Sequence, residues 1–185
     1  MLCSPSLIKM ISSYIQSVSK PSIIIEGPDG TGKTTLAQAL VNEHNNLRYE
    51  HLTYMEDPSD MYWQFIEARN KLTEGNVILD RYIISNKVYS YVCDNIPVYD
   101  QDMFYEELQA KLTLKKTLLI FCLPEDKEKY LAEFNKLCKE RDELVTSEHK
   151  MSKIFDAYTS YFDELKRNYP GMVMRYDRFL MPVAR

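Results

Sequence analysis

The sequence lacks several features that each mark a class of protein. Its 185 residues include no stretch of the roughly 18–20 uninterrupted apolar residues that a membrane span needs. Lys and Arg number 23 against 27 Asp and Glu, so the chain has no surplus of positive charge of the kind that favours nucleic-acid binding. The four cysteines form no CxxC pair and have no histidine at metal-ligand spacing. We therefore expect free thiols in a reducing, cytoplasmic setting, with no membrane partner and no stable nucleic-acid partner.

Glycine is also scarce, and its placement is informative. Only five glycines occur, and three of them, Gly27, Gly30 and Gly32, fall within six residues. Glycine permits positive φ and lets another group approach the backbone closely, so this segment is a candidate ligand site. The remaining composition, 45% apolar and 12% aromatic, is typical of a folded globular chain rather than a disordered one.

Short apolar runs alternate with segments of helical periodicity along most of the chain. We predict strands at 23–25, 48–54, 76–80, 117–123 and 172–176. We predict helices at 33–45, 60–74, 84–94, 100–114, 124–138 and from 151 to the Pro170-Gly171 pair. The helix at 60–74 has Ser59 or Asp60 as its expected cap, and Pro124 occupies the first position of the helix after the fourth strand. This alternation predicts an α/β fold, a five-stranded parallel sheet flanked by helices on both faces.

The first twenty residues form an N-terminal extension in this scheme, and residues 21–185 form the domain. Apolar residues recur in the extension at roughly helical spacing without a continuous apolar run. This pattern favours a short amphipathic helix that packs on the domain, or a frayed tail, over a secretory signal.

Residues 27–34 read Gly-Pro-Asp-Gly-Thr-Gly-Lys-Thr and fit the phosphate-loop pattern G-x-x-x-x-G-K-[ST]. A predicted strand precedes the loop and a predicted helix follows it, as the pattern requires. The backbone amides of such a loop surround phosphate oxygens, and the positive end of the helix dipole points at the same charge. Lys33 is expected to reach the β- and γ-phosphates, and the Thr34 hydroxyl can bind Mg²⁺. A GTPase is excluded because the nearest match to N-K-x-D, at 86–89, ends in Tyr89 instead of aspartate.

Asp80 and Arg81 follow the third predicted strand directly. Carboxyl ends of parallel strands face the ligand crevice, so both side chains are expected there. A carboxylate at this place can hold Mg²⁺ or its water, and a guanidinium can bind a second phosphate through two hydrogen bonds. The alternative is a salt-bridged strand end that caps the next helix.

Together these two segments resemble the thymidylate kinase (dTMP kinase) family. The family pattern E-G-x-D-G-x-G-K-T-T is matched by Glu26, Gly27, Asp29, Gly30, Gly32, Lys33, Thr34 and Thr35. The pattern D-R-Y-x-x-S-x-x-x-Y is matched by Asp80, Arg81, Tyr82, Ser85 and Tyr89. The resemblance implies a three-layer P-loop nucleotide kinase with a short lid. It also implies ATP as donor, Mg²⁺ as cofactor and a pyrimidine deoxynucleoside monophosphate, dTMP first, as acceptor.

The resemblance implies roles for individual residues. The implied donor-binding residues are Gly27, Asp29, Gly30, Thr31, Gly32, Lys33, Thr34 and Thr35, with Thr34 and Asp80 at the metal. The implied acceptor-binding residues are Asp29, Phe65, Arg69, Arg81, Asn86 and Tyr89. Arg81 would bind the acceptor phosphate, Asn86 would face the pyrimidine edge and Tyr89 would lie against the sugar. Phe65 would stack on the base and Arg69 would read its carbonyl, although an ordinary core aromatic and a solvated arginine remain open alternatives.

The family places an arginine either in the phosphate loop or in a lid, where it neutralises the transferring phosphoryl group. Gly30 occupies the loop position here, which implies the lid arrangement. We assign the lid to the charged stretch near 139–147, with Arg141 as its catalytic arginine and Lys139 as a weaker candidate. A solvated helix end is the alternative for this stretch.

The chain also departs from the family. The usual R-E-P-G-G-T after the second strand is replaced by Glu-Asp-Pro-Ser-Asp at 56–60, and Ser90 replaces a common glutamine. Substrate choice therefore extends to another or modified deoxynucleoside monophosphate, and a deoxynucleoside kinase is the main competing reading. A polynucleotide kinase and a regulatory nucleotide-binding module are further alternatives. The expected partners are small nucleotides, with a homodimer implied by the resemblance.

Overall fold

The computed structural model describes residues 5–95, 97–141 and 147–180. Within these ranges, five strands form one parallel sheet between two layers of helices, which confirms the predicted fold class. The strands are β1 (Ser22–Glu26), β2 (Arg48–His51), β3 (Val77–Asp80), β4 (Thr117–Cys122) and β5 (Val173–Tyr176). The helices are α1 (Pro5–Ser17), α2 (Lys33–Glu43), α3 (Pro58–Glu74), α4 (Ile83–Cys93), α5 (Gln101–Thr113), α6 (Lys127–Arg141) and α7 (Glu148–Asn168).

The strand order β2-β3-β1-β4-β5 places β1 at the centre of the sheet. The chain leaves β1 for one edge, returns through β3, and then crosses β1 to build the other edge. Ligands of open α/β sheets bind beyond the carboxyl ends of the strands at such a switch in direction. The carboxyl ends of β1 and β3 are therefore the expected place for a site.

The side chains of the inner strands alternate between two hydrophobic clusters, one on each face of the sheet. On β1, Ile24 belongs to the cluster with α3 to α7, whereas Ile23 and Ile25 belong to the cluster with α1 and α2. All three side chains have no exposed surface. Such continuous burial is expected for a parallel strand that is covered on both faces.

Most helices begin one to three residues away from the predicted starts, and α3 and α6 show why. The predicted cap of α3, Ser59 or Asp60, is wrong. Helix α3 begins at Pro58, because Asp57 caps it by accepting from the amides of Ser59 (2.7 Å) and Asp60 (3.1 Å). Proline is well tolerated at this first position because the amide it lacks would have no partner within the helix.

The prediction that Pro124 opens α6 is wrong, since that helix begins at Lys127. The segment between β4 and α6 is held by residues at the end of β5. Asp177 accepts from the amide of Glu125 (2.8 Å), and Arg175 donates to the carbonyl oxygens of Leu123 (2.7 Å) and Pro124 (2.6 Å). These bonds hold the segment outside the helix until Lys127.

Helix α1 packs against the sheet face that also carries α2. Its side chains Leu7, Ile11 and Ile15 are buried in the same cluster as Ile23 and Ile25. No helix among the described residues combines the length and apolarity needed to cross a membrane.

Candidate active site

The phosphate loop lies between β1 and α2, at the carboxyl end of the central strand. Gly27 has φ of 144°, and a Cβ atom built there would lie 2.2 Å from the carbonyl oxygen of Cys122. Gly32 has φ of 87° and is the N-cap residue of α2. The loop thus brings the amino-terminal end of α2 beside β1 and β4, where backbone amides and the helix dipole favour an anion.

Lys33 and Thr31 both donate to the carbonyl oxygen of Pro28, at 2.6 Å and 2.8 Å. The Lys33 side chain is buried, and burial together with the nearby charge of Arg81 lowers its pKa to about 8. The loop is therefore closed around its own lysine, whose amine is bonded to the loop's Pro28 carbonyl.

Asp80 and Thr34 fit a magnesium site. The Thr34 hydroxyl donates to Asp80 Oδ2 at 2.7 Å, while Asp80 Oδ1 is buried and has no hydrogen-bond partner. The described residues contain no group of three or more His, Cys, Asp or Glu side chains that could hold a metal. A hydroxyl and one free carboxylate oxygen suit Mg²⁺, which binds through one or two protein oxygens and takes its remaining ligands from phosphates and water.

Two residues of β2 that no sequence motif singles out also reach Asp80. The Tyr49 hydroxyl donates to Asp80 Oδ2 at 3.0 Å, and His51 Nδ1 lies 3.3 Å from the same oxygen. His51 pairs with Asp80 in the register of β2 and β3. Alternation along β2 indicates that Tyr49 and His51 share a face, but only the strand register reveals which residue they meet.

Arg81 stands between β3 and α4 and bonds to the phosphate loop. Its guanidinium forms an ion pair with Asp29, donates to Ser85 Oγ at 3.4 Å and lies over the Tyr89 ring at 5.2 Å. The Tyr89 hydroxyl donates to the other carboxylate oxygen of Asp29 at 2.7 Å. Burial alone would raise the pKa of Asp29, but the charges of Arg81 and Lys33 lower it below its ordinary value. The structure thus brings four of the predicted site residues, Asp29, Lys33, Arg81 and Tyr89, into one electrostatic cluster.

A cavity of about 330 Å³ opens beside this cluster, beyond the ends of β2 and β3. Its lining residues are Asp29, His51, Leu52, Thr53, Tyr54, Met61, Phe65, Arg81, Tyr82, Ser85, Asn86, Tyr89 and Asn95. Arg81 is the one Lys or Arg side chain among them. The cavity therefore joins an apolar, aromatic part to a charged end at the phosphate loop, a composition suited to a small ligand with an aromatic ring and a polar end.

Phe65 and Asn86 both line this cavity, and their contact with a base stays a prediction. The Phe65 ring stacks on Tyr82 with 5.3 Å between ring centroids and is 4% exposed. The Asn86 side chain accepts from the Val98 amide at 3.1 Å. Because that amide can only donate, the atom facing it is Oδ1, and the Asn86 NH₂ group is left to the Met61 sulfur at 3.2 Å.

Arg69 does not line the cavity. Its guanidinium forms an ion pair with Glu107 of α5 at 2.9 Å. Its role as a reader of the base stays a prediction, one that requires this pair to open. Arg141 ends α6, but its side chain and residues 142–146 lie outside what the structure describes, as does the Lys139 side chain. The lid assignment therefore stays a prediction as well.

Comparison with known proteins establishes the fold. No protein-family model matches the sequence, and no curated protein matches it. Among solved structures, the chain is similar to the YorR protein of Bacillus subtilis in complex with phosphorylated GDP, at 21% identity, 84% coverage of both chains and a TM-score of 0.60. It is also similar to deoxyadenosine kinase from M. mycoides with products dCMP and dCDP bound, at 16% identity, 86% and 91% coverage and a TM-score of 0.51. A thymidylate kinase from Candida albicans matches at 16% identity, 86% and 83% coverage and a TM-score of 0.48, too low to support an argument. The first two likenesses show that the chain has the α/β fold of P-loop kinases.

Proposed function

We propose that this protein is a kinase that transfers the γ-phosphoryl group of ATP to a small nucleotide acceptor bound in the 330 Å³ cavity. The most favoured acceptor is a pyrimidine deoxynucleoside monophosphate, with dTMP first. The observation that carries the proposal is the position of Arg81, which lines the cavity and bonds to Asp29 of the phosphate loop. The Arg81 guanidinium thus lies between the phosphate loop, where ATP would bind, and the cavity, where the acceptor would bind.

On the donor side, the loop amides and Lys33 would bind the β- and γ-phosphates. The Lys33 amine must exchange its bond to the Pro28 carbonyl for a phosphate oxygen, an exchange that the greater negative charge of the phosphate favours. Thr34 and Asp80 would hold Mg²⁺, which neutralises charge on the phosphates. Arg141 would supply a further positive charge to the phosphoryl group in transfer.

On the acceptor side, Arg81 would bind the acceptor phosphate and orient it toward the loop. Asp29 and Tyr89 would lie beside the sugar, and Phe65 would pack against the base. The Asn86 NH₂ group, which donates one hydrogen to the Met61 sulfur, would donate its other hydrogen to a base carbonyl, since Oδ1 already accepts from the Val98 amide. Such positioning accounts for most of the rate that phosphoryl-transfer enzymes achieve.

One observation favours a second acceptor class, a deoxynucleoside. The charge of Arg81 is already paired with Asp29, and the cavity offers no other Lys or Arg among the described residues that line it. A phosphate dianion would therefore compete with Asp29 for one guanidinium. The similarity to a deoxyadenosine kinase fold is compatible with this alternative.

A coupled assay of ADP release tests the proposal with the eight common nucleoside monophosphates and thymidine as acceptors. We expect ADP release with dTMP, loss of that release in Lys33→Ala, and a far larger loss of affinity for dTMP than for thymidine in Arg81→Ala. Equal losses for both acceptors would favour the nucleoside kinase. ADP release that no acceptor stimulates, or that Lys33→Ala retains, would contradict the kinase assignment.

Homodimer formation and a cytoplasmic location stay proposals. Neither is needed for the assay.

A further inference from the structure

Glu26 is a buried carboxylate that the proposed reaction does not use. It is the last residue of β1, has no exposed surface and is absent from the lining of the cavity. Burying a carboxylate is unfavourable unless hydrogen bonds replace its water. Burial raises the pKa of Glu26, while the hydrogen bonds from Ser85 and the charge of Arg81 oppose that rise.

The partners of Glu26 are the first amides of α4. Its Oε1 accepts from the amides of Tyr82 (3.0 Å), Ile84 (3.1 Å) and Ser85 (3.3 Å). The N-cap residue of α4, Tyr82, provides no side-chain cap of its own. Glu26 therefore supplies from the neighbouring strand the cap that a helix amino terminus usually receives locally.

This cap lies directly beside the strained backbone of Arg81. Arg81 has φ of 77°, a left-handed conformation that is unfavourable for a residue with a side chain. The Arg81 amide donates to the Ile25 carbonyl at 2.9 Å, and the next amide, that of Tyr82, donates to Glu26. Ile25 and Glu26 of β1 thus accept from the consecutive amides of Arg81 and Tyr82, and these two bonds hold the turn between β3 and α4 in place.

The same carboxylate also reaches the Arg81 side chain through Ser85. The Ser85 hydroxyl donates its one proton to Glu26 Oε2, which leaves its oxygen to accept from Arg81 Nη1 at 3.4 Å. Tyr158, whose hydroxyl lies 2.7 Å from Ser85 Oγ, is then the donor in that contact. Glu26 fixes both the backbone and the guanidinium of Arg81.

We propose that Glu26 is a positioning residue that aims Arg81 at the acceptor phosphate. The inference rests on the proposed role of Arg81. In Glu26→Gln the side chain keeps an oxygen for the amides, but its NH₂ group faces the Ser85 hydroxyl and the negative charge is gone. Ser85 must then accept from glutamine, so glutamine, Arg81 and Tyr158 compete for its two lone pairs, and Arg81 loses a nearby opposite charge.

The test is a double-mutant cycle on equilibrium binding of dTMP and thymidine by the full chain. We expect Glu26→Gln to weaken dTMP about tenfold, the scale of one charge-assisted hydrogen bond, and to change thymidine binding less than about twofold. In the Arg81→Ala background the same change should have no further effect on dTMP. Glu128→Gln, the same chemical change at an exposed position, is the control and should leave both affinities unchanged.

Each other outcome has a distinct meaning. Equal weakening of both ligands, or an undiminished effect in the Arg81→Ala background, would show a merely structural role and overturn the inference. If Glu26→Gln fails to fold, Ser85→Ala replaces it, because that change removes the hydroxyl and keeps the backbone cap. A Ser85→Ala protein that binds dTMP like the unchanged protein would then overturn the inference. If the unchanged protein binds and phosphorylates no acceptor, the proposed function itself fails.

Discussion

Asp29 connects the phosphate loop to the residues that line the acceptor cavity. Its carboxylate binds the guanidinium of Arg81 and the hydroxyl of Tyr89, and its backbone carbonyl accepts from Tyr130 of α6 at 2.9 Å. The loop is therefore connected to α4 and α6 through one residue. Its carboxylate is 48% exposed, so solvent weakens the ion pair.

Acidification should remove the contribution of Asp29 to stability. Its pKa in the folded protein is lowered below the ordinary value of 3.8, so the stabilisation is present above about pH 4 and is lost as the pH falls through the folded pKa. We expect Asp29→Asn to be less stable than the unchanged protein at neutral pH, and the difference to shrink below about pH 3.5. Urea denaturation at several pH values measures this difference.

Asp163→Asn provides the matched control for that series. Asp163 is exposed on α7, so its variant should track the unchanged protein across the pH range. A difference for Asp29→Asn that stays constant or grows toward low pH would contradict the assigned ion pair.

Single residues were predictable where a motif fixes their position in space. The phosphate-loop pattern predicts that Lys33 and Thr34 face the phosphates. The end of β3 predicts that Asp80 and Arg81 face the ligand crevice. Arg69 illustrates the limit, because helical spacing puts it on the face of Phe65 but cannot reveal that Glu107 of α5 competes for it. Glu26 and His51 were also beyond reach, since their partners depend on which strands become neighbours.

At the scale of elements, the start of α3 is governed by a local cap. Asp57 accepts from two amides of the first turn, and Pro58 follows it. Helix α3 carries Met61 and Phe65 into the cavity, so its first turn also sets part of the acceptor site.

Removing the cap should destabilise the protein moderately. We expect Asp57→Ala to lower the free energy of unfolding by about 1 kcal/mol, because two amides lose their partner. Ser59→Ala, an exposed position two residues later, should change it by less than about 0.5 kcal/mol. Chemical denaturation of the three proteins measures both values, and equal stabilities would refute the assigned cap.

Strand boundaries were easier to predict than helix starts, where several residues close in sequence could each provide the cap. Strands β1 and β3 were found within a residue or two because a buried parallel strand is continuously apolar. The start of α6 was misplaced because Pro124 is a favourable first helical residue by local rules. Asp126 caps the helix instead by accepting from the Lys129 amide at 2.9 Å, while bonds from Arg175 and Asp177, which are distant in sequence, hold the segment before it.

At the scale of the whole molecule, α1 completes one of the two hydrophobic layers. Ile11 of α1 has no exposed surface and belongs to the cluster that includes Leu36, Ile78 and Ile120. The cluster thus joins α1 to α2 and to four strands, β1, β3, β4 and β5, and the helix is part of the folded core.

A cavity created in this hydrophobic layer should therefore lower the stability of the whole fold. We expect Ile11→Ala to lower the free energy of unfolding by about 2–5 kcal/mol, because the large side chain leaves a space that the sheet cannot fill. Met10→Ala, at a neighbouring position that is 50% exposed, should cost less than about 1 kcal/mol. Thermal and urea unfolding measure both changes. An effect of Ile11→Ala no larger than that of Met10→Ala would show that α1 is dispensable for stability.

The central place of β1 has a consequence for how the chain reaches its structure. In the register of the sheet, Ser22 lies opposite Val77 on one side and Thr117 on the other. Contacts between such distant segments slow folding, because long loops must close before any ladder forms. The apolar run Ile23–Ile25 is synthesised before both of its partner strands and must wait for them, which exposes it to association with other chains. Rapid production at high temperature is therefore expected to favour aggregates over the native protein.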